Sequence, residues 1–326
     1  MPRIPLRRPA VQPLEDYGFF GPGSVTWKVW GNATALTVGF QRAVVVEEAD
    51  PFLLASVDTT GKVRDRPRDR YDRTIRYFAT IAMGDARSAV RASEILMRVH
   101  ARARGIEPIS GLPYDPNDPG SQLWIHLTGW HSVLYAYERY GPGPLTAEEE
   151  EQYWAECAVA AELQTCDPAD VPRSREELRD YYASVRPRLA ATEATQAMMD
   201  HLLGGSAILP PTPRGLRPAV WALDRSLRAA TVATIPRWMR RLGDVDQPRI
   251  VDAAIVPPTR LAYRIASLNV AVQMRILDLI SPSTRPIVEP ALRGVKPRRE
   301  QTMTPAQAKA RFGGTVPAAR PAVVAA

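Results

Sequence analysis

The sequence predicts an all-α fold, a single mostly helical domain with irregular ends. Three observations carry that expectation. Apolar residues recur at i, i+3 and i+4 over several long segments. Capping residues and Pro/Gly clusters punctuate those segments. No alternating strand–helix pattern appears, and no Gly-x-Gly-x-x-Gly follows a strand, so a dinucleotide-binding domain is not expected. The 326 residues are enough for one large domain or two, and 45% hydrophobic with 24% charged residues is ordinary for a globular chain. The divisions expected are an N-terminal arm over 1–20, a helical domain over 21–285 and a basic, Pro/Ala-rich tail over 286–326.

Taken in order, residues 1–20 are rich in proline and arginine and read as an arm. Pro22-Gly-Ser24 reads as a loop ending in a helix cap, and the apolar spacing from Val25 to Val46 predicts helix. Asp50-Pro51 has the form of an N-cap followed by proline at the first helical position. Lys62 to Arg70 is a charged connection. Helices are expected at about 71–83 and 85–104, the second stopped by Gly105. Residues 106–120 hold too many prolines and glycines for a regular element. A third helix is expected over 121–140. Thr146-Ala-Glu-Glu149 is a capping signal for a helix to about Leu163. Further helices are expected at about 175–189, 192–203, 217–242 (kinked or divided by Pro236) and 258–280. The chain reads as irregular beyond Ile280, with a low-complexity end over 313–326.

The formal charge of +7 would suggest an anionic partner, but much of the excess lies in the two tails, at Arg3, Arg7, Arg8, Lys296, Arg298, Arg299, Lys309, Arg311 and Arg320. No nucleic-acid motif accompanies it, so nucleic-acid binding is not expected. Cys157 and Cys166 are the only cysteines, too few for a disulfide framework or a four-cysteine metal site. No Cys-x-x-Cys-His is present, which excludes that form of covalent haem attachment. No apolar run approaches the ~18–20 residues of a membrane span, and the basic N-terminus lacks the apolar stretch of a secretion signal. A cytoplasmic protein with free thiols is the expectation.

Three clusters are candidates for chemistry. Arg70 and Thr74 are four apart on one helix face. They read either as surface and filler residues or as a guanidinium for a carboxylate with a short hydroxyl beside it. His100 shares the apolar side of its helix with Leu96. It reads either as a core histidine or as a neutral imidazole suited to haem iron, whose second nitrogen then needs a partner. Leu123-Trp124-Ile-His126-Leu-Thr-Gly-Trp130-His131 forms a third cluster, either an aromatic packing face or a pocket wall. His126 and His131 are five apart, so the His-x-x-x-His of a helical zinc site is absent, as are Glu-x-x-His and Gly-x-Ser-x-Gly.

The ordered fragments resemble the MpaB-type oxygenases, the family that includes the latex-clearing rubber oxygenases. They run from Gly21-Pro-Gly-Ser24-Val-Thr-Trp27 through Gly39-Phe-Gln-Arg42-Ala-Val-Val-Val46 and Asp50-Pro51 to Arg70-x-x-x-Thr74. They continue through His100-Ala-Arg-Ala-Arg-Gly105, Tyr114-x-x-x-Asp118-Pro119 and Leu123-Trp124-Ile-His126. The resemblance spans roughly residues 20–240. It implies a globin-like core holding a non-covalent haem b, with His100 as the axial ligand and Arg70 and Thr74 beside the haem. His126 falls in a second family motif. Rubber-cleaving members place an iron-ligating lysine just before the threonine. Here that residue is Arg73, whose guanidinium stays protonated and is a poor iron ligand. The departure implies an open or water-bound sixth site and argues against rubber as the substrate.

The expected function is therefore a haem b-dependent oxygenase acting on an apolar, isoprenoid- or lipid-like molecule with dioxygen or peroxide. His100 anchors the iron, Arg70 and Thr74 orient the bound oxygen or haem, and Trp124, His126 and Trp130 line the pocket. The alternatives are a haem- or ligand-binding sensor or carrier without turnover, and a helical protein with no cofactor.

Overall fold

Ser24 starts the first helix as the sequence suggests, its hydroxyl accepting from Trp27 N at 3.1 Å. The computed structural model describes residues 11–58, 66–205, 209 and 213–313. Its helices are α1 (Val25–Trp30), α2 (Phe40–Glu47), α3 (Pro51–Asp58), α4 (Pro67–Met83), α5 (Ala86–His100), α6 (Pro119–Tyr140), α7 (Ala147–Ala161) and α8 (Arg175–Val185). They continue as α9 (Glu193–Leu203), α10 (Arg217–Val232), α11 (Arg237–Leu242), α12 (Arg249–Ser267), α13 (Val270–Ile280), α14 (Arg285–Leu292) and α15 (Pro305–Phe312). Among the described residues the only sheet is a two-stranded antiparallel pair, β1 (Gly105–Ile106) with β2 (Pro113–Tyr114). The all-α expectation holds, and no helix among the described residues is long and apolar enough to cross a membrane.

Several boundaries differ from the sequence reading for local reasons. The single helix expected over 25–46 is interrupted. α1 closes at Gly31, and a π-helical stretch, Ala35–Gly39, leads into α2. Gly39 is where this segment crosses α6 closely: a Cβ there would lie 3.1 Å from the Val133 Cα. α4 begins at Pro67, inside the stretch expected to be a charged connection, because proline suits the first turn, where its missing N–H costs nothing. Pro257 and Pro258 lie inside α12 instead of starting a helix. The chain beyond Ile280 is not irregular throughout: α14 packs against α4, and α15 against α5. The low-complexity end from residue 314 on lies outside the described residues. Residues 11–20 of the expected arm are tied down, with Tyr17, Leu14, Glu15 and Gly18 exchanging backbone hydrogen bonds with residues 298–303.

α6 is the axis of the molecule. It packs against α2, the π-helical stretch, α1, α7 and α12. At about 100° per residue, Gln122, His126, Trp130, Val133 and Tyr137 fall on one of its faces and Trp124, Thr128 and His131 on the other. The first face enters an aromatic core in which Trp130 meets Trp30, Phe20 and Tyr153. The Tyr153 hydroxyl donates to Trp130 O at 2.8 Å, so the ring is buried without losing its polar bond. Burial of this size drives folding, at about 25 cal/mol per Å² of apolar surface, and it fixes which way α6 is turned.

Candidate functional site

The N-terminal end of α6 gathers the residues of interest. Asp118 caps it, accepting from Ser121 N, and Pro119 occupies its first turn. Gln122, buried in that turn, donates from Nε2 to Pro116 O at 2.6 Å. The same Nε2 lies 3.3 Å from His100 Nδ1. His100 is the last residue of α5 and is half-buried. Burial and the Arg70 guanidinium push its imidazole down to about 4, against the opposing pull of Asn117 and Asp115. At neutral pH the ring is therefore uncharged.

Arg70 links His100 to a pair of acids at the end of α2. Burial lowers its guanidinium from the usual range, while Glu48 and Glu47 act to raise it. Glu47 is pushed up to about 8, first by burial and then by neighbouring Glu48. The Thr128 hydroxyl and Arg70 counter this only in part. Thr128 Oγ1 donates to Glu47 Oε1 at 3.3 Å, and Trp124 Nε1 donates to Glu47 O at 3.2 Å. Thr74 donates its hydroxyl to Arg70 O at 2.9 Å, one turn back along α4, so it steadies the backbone that carries Arg70. Arg73 is exposed, with Nε donating to Asp69 O.

The sequence candidates thus fall into two groups. His100 meets Gln122, Trp124 meets Glu47, and Thr74 bonds the backbone of Arg70, whose charge acts on both Glu47 and His100. His126 and Trp130 lie deeper, in the aromatic core. Both His126 ring nitrogens are engaged: Nε2 lies 2.8 Å from Cys157 O, and Nδ1 lies 3.2 Å from Gln164 Nε2. A carbonyl at Nε2 requires N–H there, and the amide N–H then meets a bare Nδ1. Burial pushes this ring down to about 4.

Sequence reasoning missed Glu47 and Gln122. The only hint for Glu47 was an acidic pair just before the Asp50-Pro51 helix start; nothing in the spacing singled out Gln122. It also missed Arg42, buried on α2. Arg42 donates to Ser132 Oγ at 2.5 Å and Thr234 O at 3.2 Å, and lies over the Tyr135 ring. His131 sits beside Tyr182, Nδ1 to the hydroxyl 3.2 Å. Burial and the nearby Arg42 charge hold its imidazole well below the usual range.

Chemically, the locus offers a neutral imidazole, a guanidinium, and a carboxyl group poised to gain or lose a proton near neutrality. Among the described residues, no group of three or more His, Cys, Asp or Glu side chains is placed to hold a bare metal ion. Residues 27–267 match the family model described as ER-bound oxygenase mpaB/B'/Rubber oxygenase, catalytic domain. No curated protein and no solved structure matches the chain.

Proposed function

Because the chain belongs to the family of mpaB and rubber oxygenase catalytic domains, we propose that it is an oxygenase that uses haem b to act on an apolar, isoprenoid- or lipid-like substrate with dioxygen or peroxide. The observation that carries this reading is the neutral His100 beside Arg70, with Gln122 on its Nδ1.

The residues present fit a non-covalent haem. A neutral imidazole is the form that ligates iron. A guanidinium matches the two oxygens of a propionate. The buried Gln122 amide turns N–H toward Nδ1 and so holds the ring proton on Nε2; iron at Nε2 would move that proton to Nδ1, and the amide would have to turn away to accept it. His100 holds the iron in this reading, and Arg70 binds a propionate in competition with Glu47 and Glu48. When bound, haem supplies oxygen activation, which no side chain here provides. Thr74 holds the Arg70 backbone. Trp124 backs the site and helps exclude water. His126 and Trp130, sealed in the aromatic core, serve the site only by supporting the helix that carries Gln122 and Trp124. Glu47 exchanges a proton near neutral pH, the range in which a general acid or base is most effective.

The substrate class is supported by side chains next to His100 in the chain. The last two turns of α5 and the hairpin after them leave Ile95, Val99, Ile106, Ile109 and Leu112 exposed. Exposed apolar side chains this near to His100 in the chain favour an apolar ligand over a charged one. Two buried free thiols, Cys157 and Cys166, suit a reducing compartment such as the cytoplasm.

Absorption spectra of protein supplied with haem, in ferric, ferrous and carbonyl-bound forms, test the reading. A Soret band is expected, and His100→Ala should lose it or shift it strongly. Colourless protein after reconstitution, or an unchanged band and haem content in His100→Ala, overturns it. A haem-loaded protein that converts no isoprenoid or lipid under oxygen would instead be a carrier or sensor.

A further inference from the structure

The inward face of α12 is fully committed. Asp252 accepts from Arg240 Nη1 at 2.9 Å and from Gln247. Tyr263 donates its hydroxyl to Thr37 Oγ1 at 2.7 Å, and Arg260 donates to Arg139 O. Ile255, Val256 and Tyr263 pack against Tyr140 and its neighbours. These contacts set the rotation of the helix. The opposite face therefore presents Ile250, Ala254, Pro257, Leu261, Ile265 and Leu268 to solvent in one stripe, separated by steps of three or four residues. Ile250 is 74% and Leu268 87% exposed. On α10, which packs beside α12, Trp221 is 66% exposed. A contiguous apolar stripe on an otherwise folded helix marks an interaction surface.

The surrounding charge says what covers it. Residues 213–280 contain eleven arginines against five aspartates, with no lysine or glutamate. Asp252 and Asp278 are engaged by Arg240 and Arg285, and Asp224 accepts from the Gly205 backbone. Arg217, Arg225, Arg249, Arg264 and Arg275 are exposed and form no ion pair among the described residues. A second copy would bring two arginine-bordered faces together with no acidic group on the stripe to offset them. An anionic bilayer surface offers both an apolar layer and the opposite charge.

We propose that the α12 stripe, with Trp221 and the bordering arginines, is a docking surface for an anionic lipid membrane. Aliphatic side chains on one face, arginines beside them and an exposed tryptophan match an interfacial helix. Pro257 and Pro258 limit the depth of insertion. They carry no N–H, so backbone carbonyls one turn earlier must find water or headgroups, which the interface supplies and the hydrocarbon layer does not.

Flotation of the full chain with phosphatidylcholine vesicles, with and without phosphatidylserine, tests the proposal. Binding should be at least about tenfold tighter to the phosphatidylserine vesicles and should weaken as salt rises. Leu261→Ser with Ile265→Ser should cost about tenfold or more in binding while the melting temperature stays close to the parent's, since both side chains are already in water. Arg264→Gln should cost about fivefold on anionic vesicles and little on neutral ones. Absence of binding by the parent, or unchanged binding by the serine variant, overturns the proposal. So does a concentration-dependent dimer that the serine variant abolishes, which assigns the stripe to a second copy.

Discussion

Gln122 Nε2 lies 3.3 Å from His100 Nδ1 and, through its other hydrogen, 2.6 Å from the Pro116 carbonyl. The carbonyl decides which end of the amide faces the ring. It accepts only from N–H, so the amide nitrogen is turned to His100 and the imidazole proton sits on Nε2. Iron held through Nε2 would shift the ring proton to Nδ1, where it needs an acceptor that the amide nitrogen does not offer. Gln122→Leu, which only removes this mismatched donor, is therefore expected to leave haem affinity within about threefold of the parent's. Gln122→Glu, which offers an acceptor, should preserve binding and lower the reduction potential. Haem titration and potentiometry measure both, and haem binding about tenfold weaker in Gln122→Leu would show that the amide supports the ligand instead of opposing it.

Glu47 imposes a pH dependence on stability. Its carboxyl is raised from 4.5 to about 8 in the folded chain. Between those values the folded state keeps a proton that the unfolded state has released, so stability falls as pH rises across this window. Urea unfolding from acid to mildly alkaline pH should show this decline, and Glu47→Gln should flatten it. An equal slope in the variant would place its source elsewhere.

His126 supports the core through both ring nitrogens. His126→Ala leaves the Cys157 carbonyl and the Gln164 amide without their partner and opens a cavity, at a cost of about 2–4 kcal/mol. Its pKa is lowered from 6.5 to about 4. The unfolded chain therefore takes up a proton that the folded one refuses, and stability falls as pH drops through that range. The variant should unfold at lower denaturant yet lose part of this acid sensitivity. A variant as stable as the parent contradicts the geometry.

Arg42 is a buried cation held by neutral groups. Burial lowers its guanidinium from the usual range, while Tyr182 and Tyr135 act to raise it. Arg42→Met should cost about 2–4 kcal/mol, because the Thr234 carbonyl and the Ser132 hydroxyl lose a charged donor. Arg42→Lys should recover only part of this, since an ammonium cannot reproduce the fork. Thermal melting of both variants distinguishes the outcomes.

Much of the fold was legible in the chain. Thr146 and Glu149 form the capping box expected of them. Ser174 and Thr192 cap α8 and α9, and α3 begins at Pro51. Such signals act within a turn or two of backbone and survive in one dimension. Pro67 is itself a local start signal, hidden in a charged run; at the π-helical stretch and the prolines inside α12, tertiary packing outweighs local preference. In the site, Arg70 and His100 stood out through the family resemblance. Glu47 and Gln122 did not, since each draws its importance from partners on other helices.

By itself the sequence determined the helical class, most helix starts and membership of an oxygenase family, because periodicity, caps and ordered motifs are local or collinear. Only the tertiary structure decided how the two faces of α6 are used. It sealed both nitrogens of His126 in the core, set His100 against Gln122, and buried Glu47 beside Glu48 until its carboxyl holds a proton near neutrality. Desolvation depends on what covers a group, and that cover comes from segments far apart in the chain.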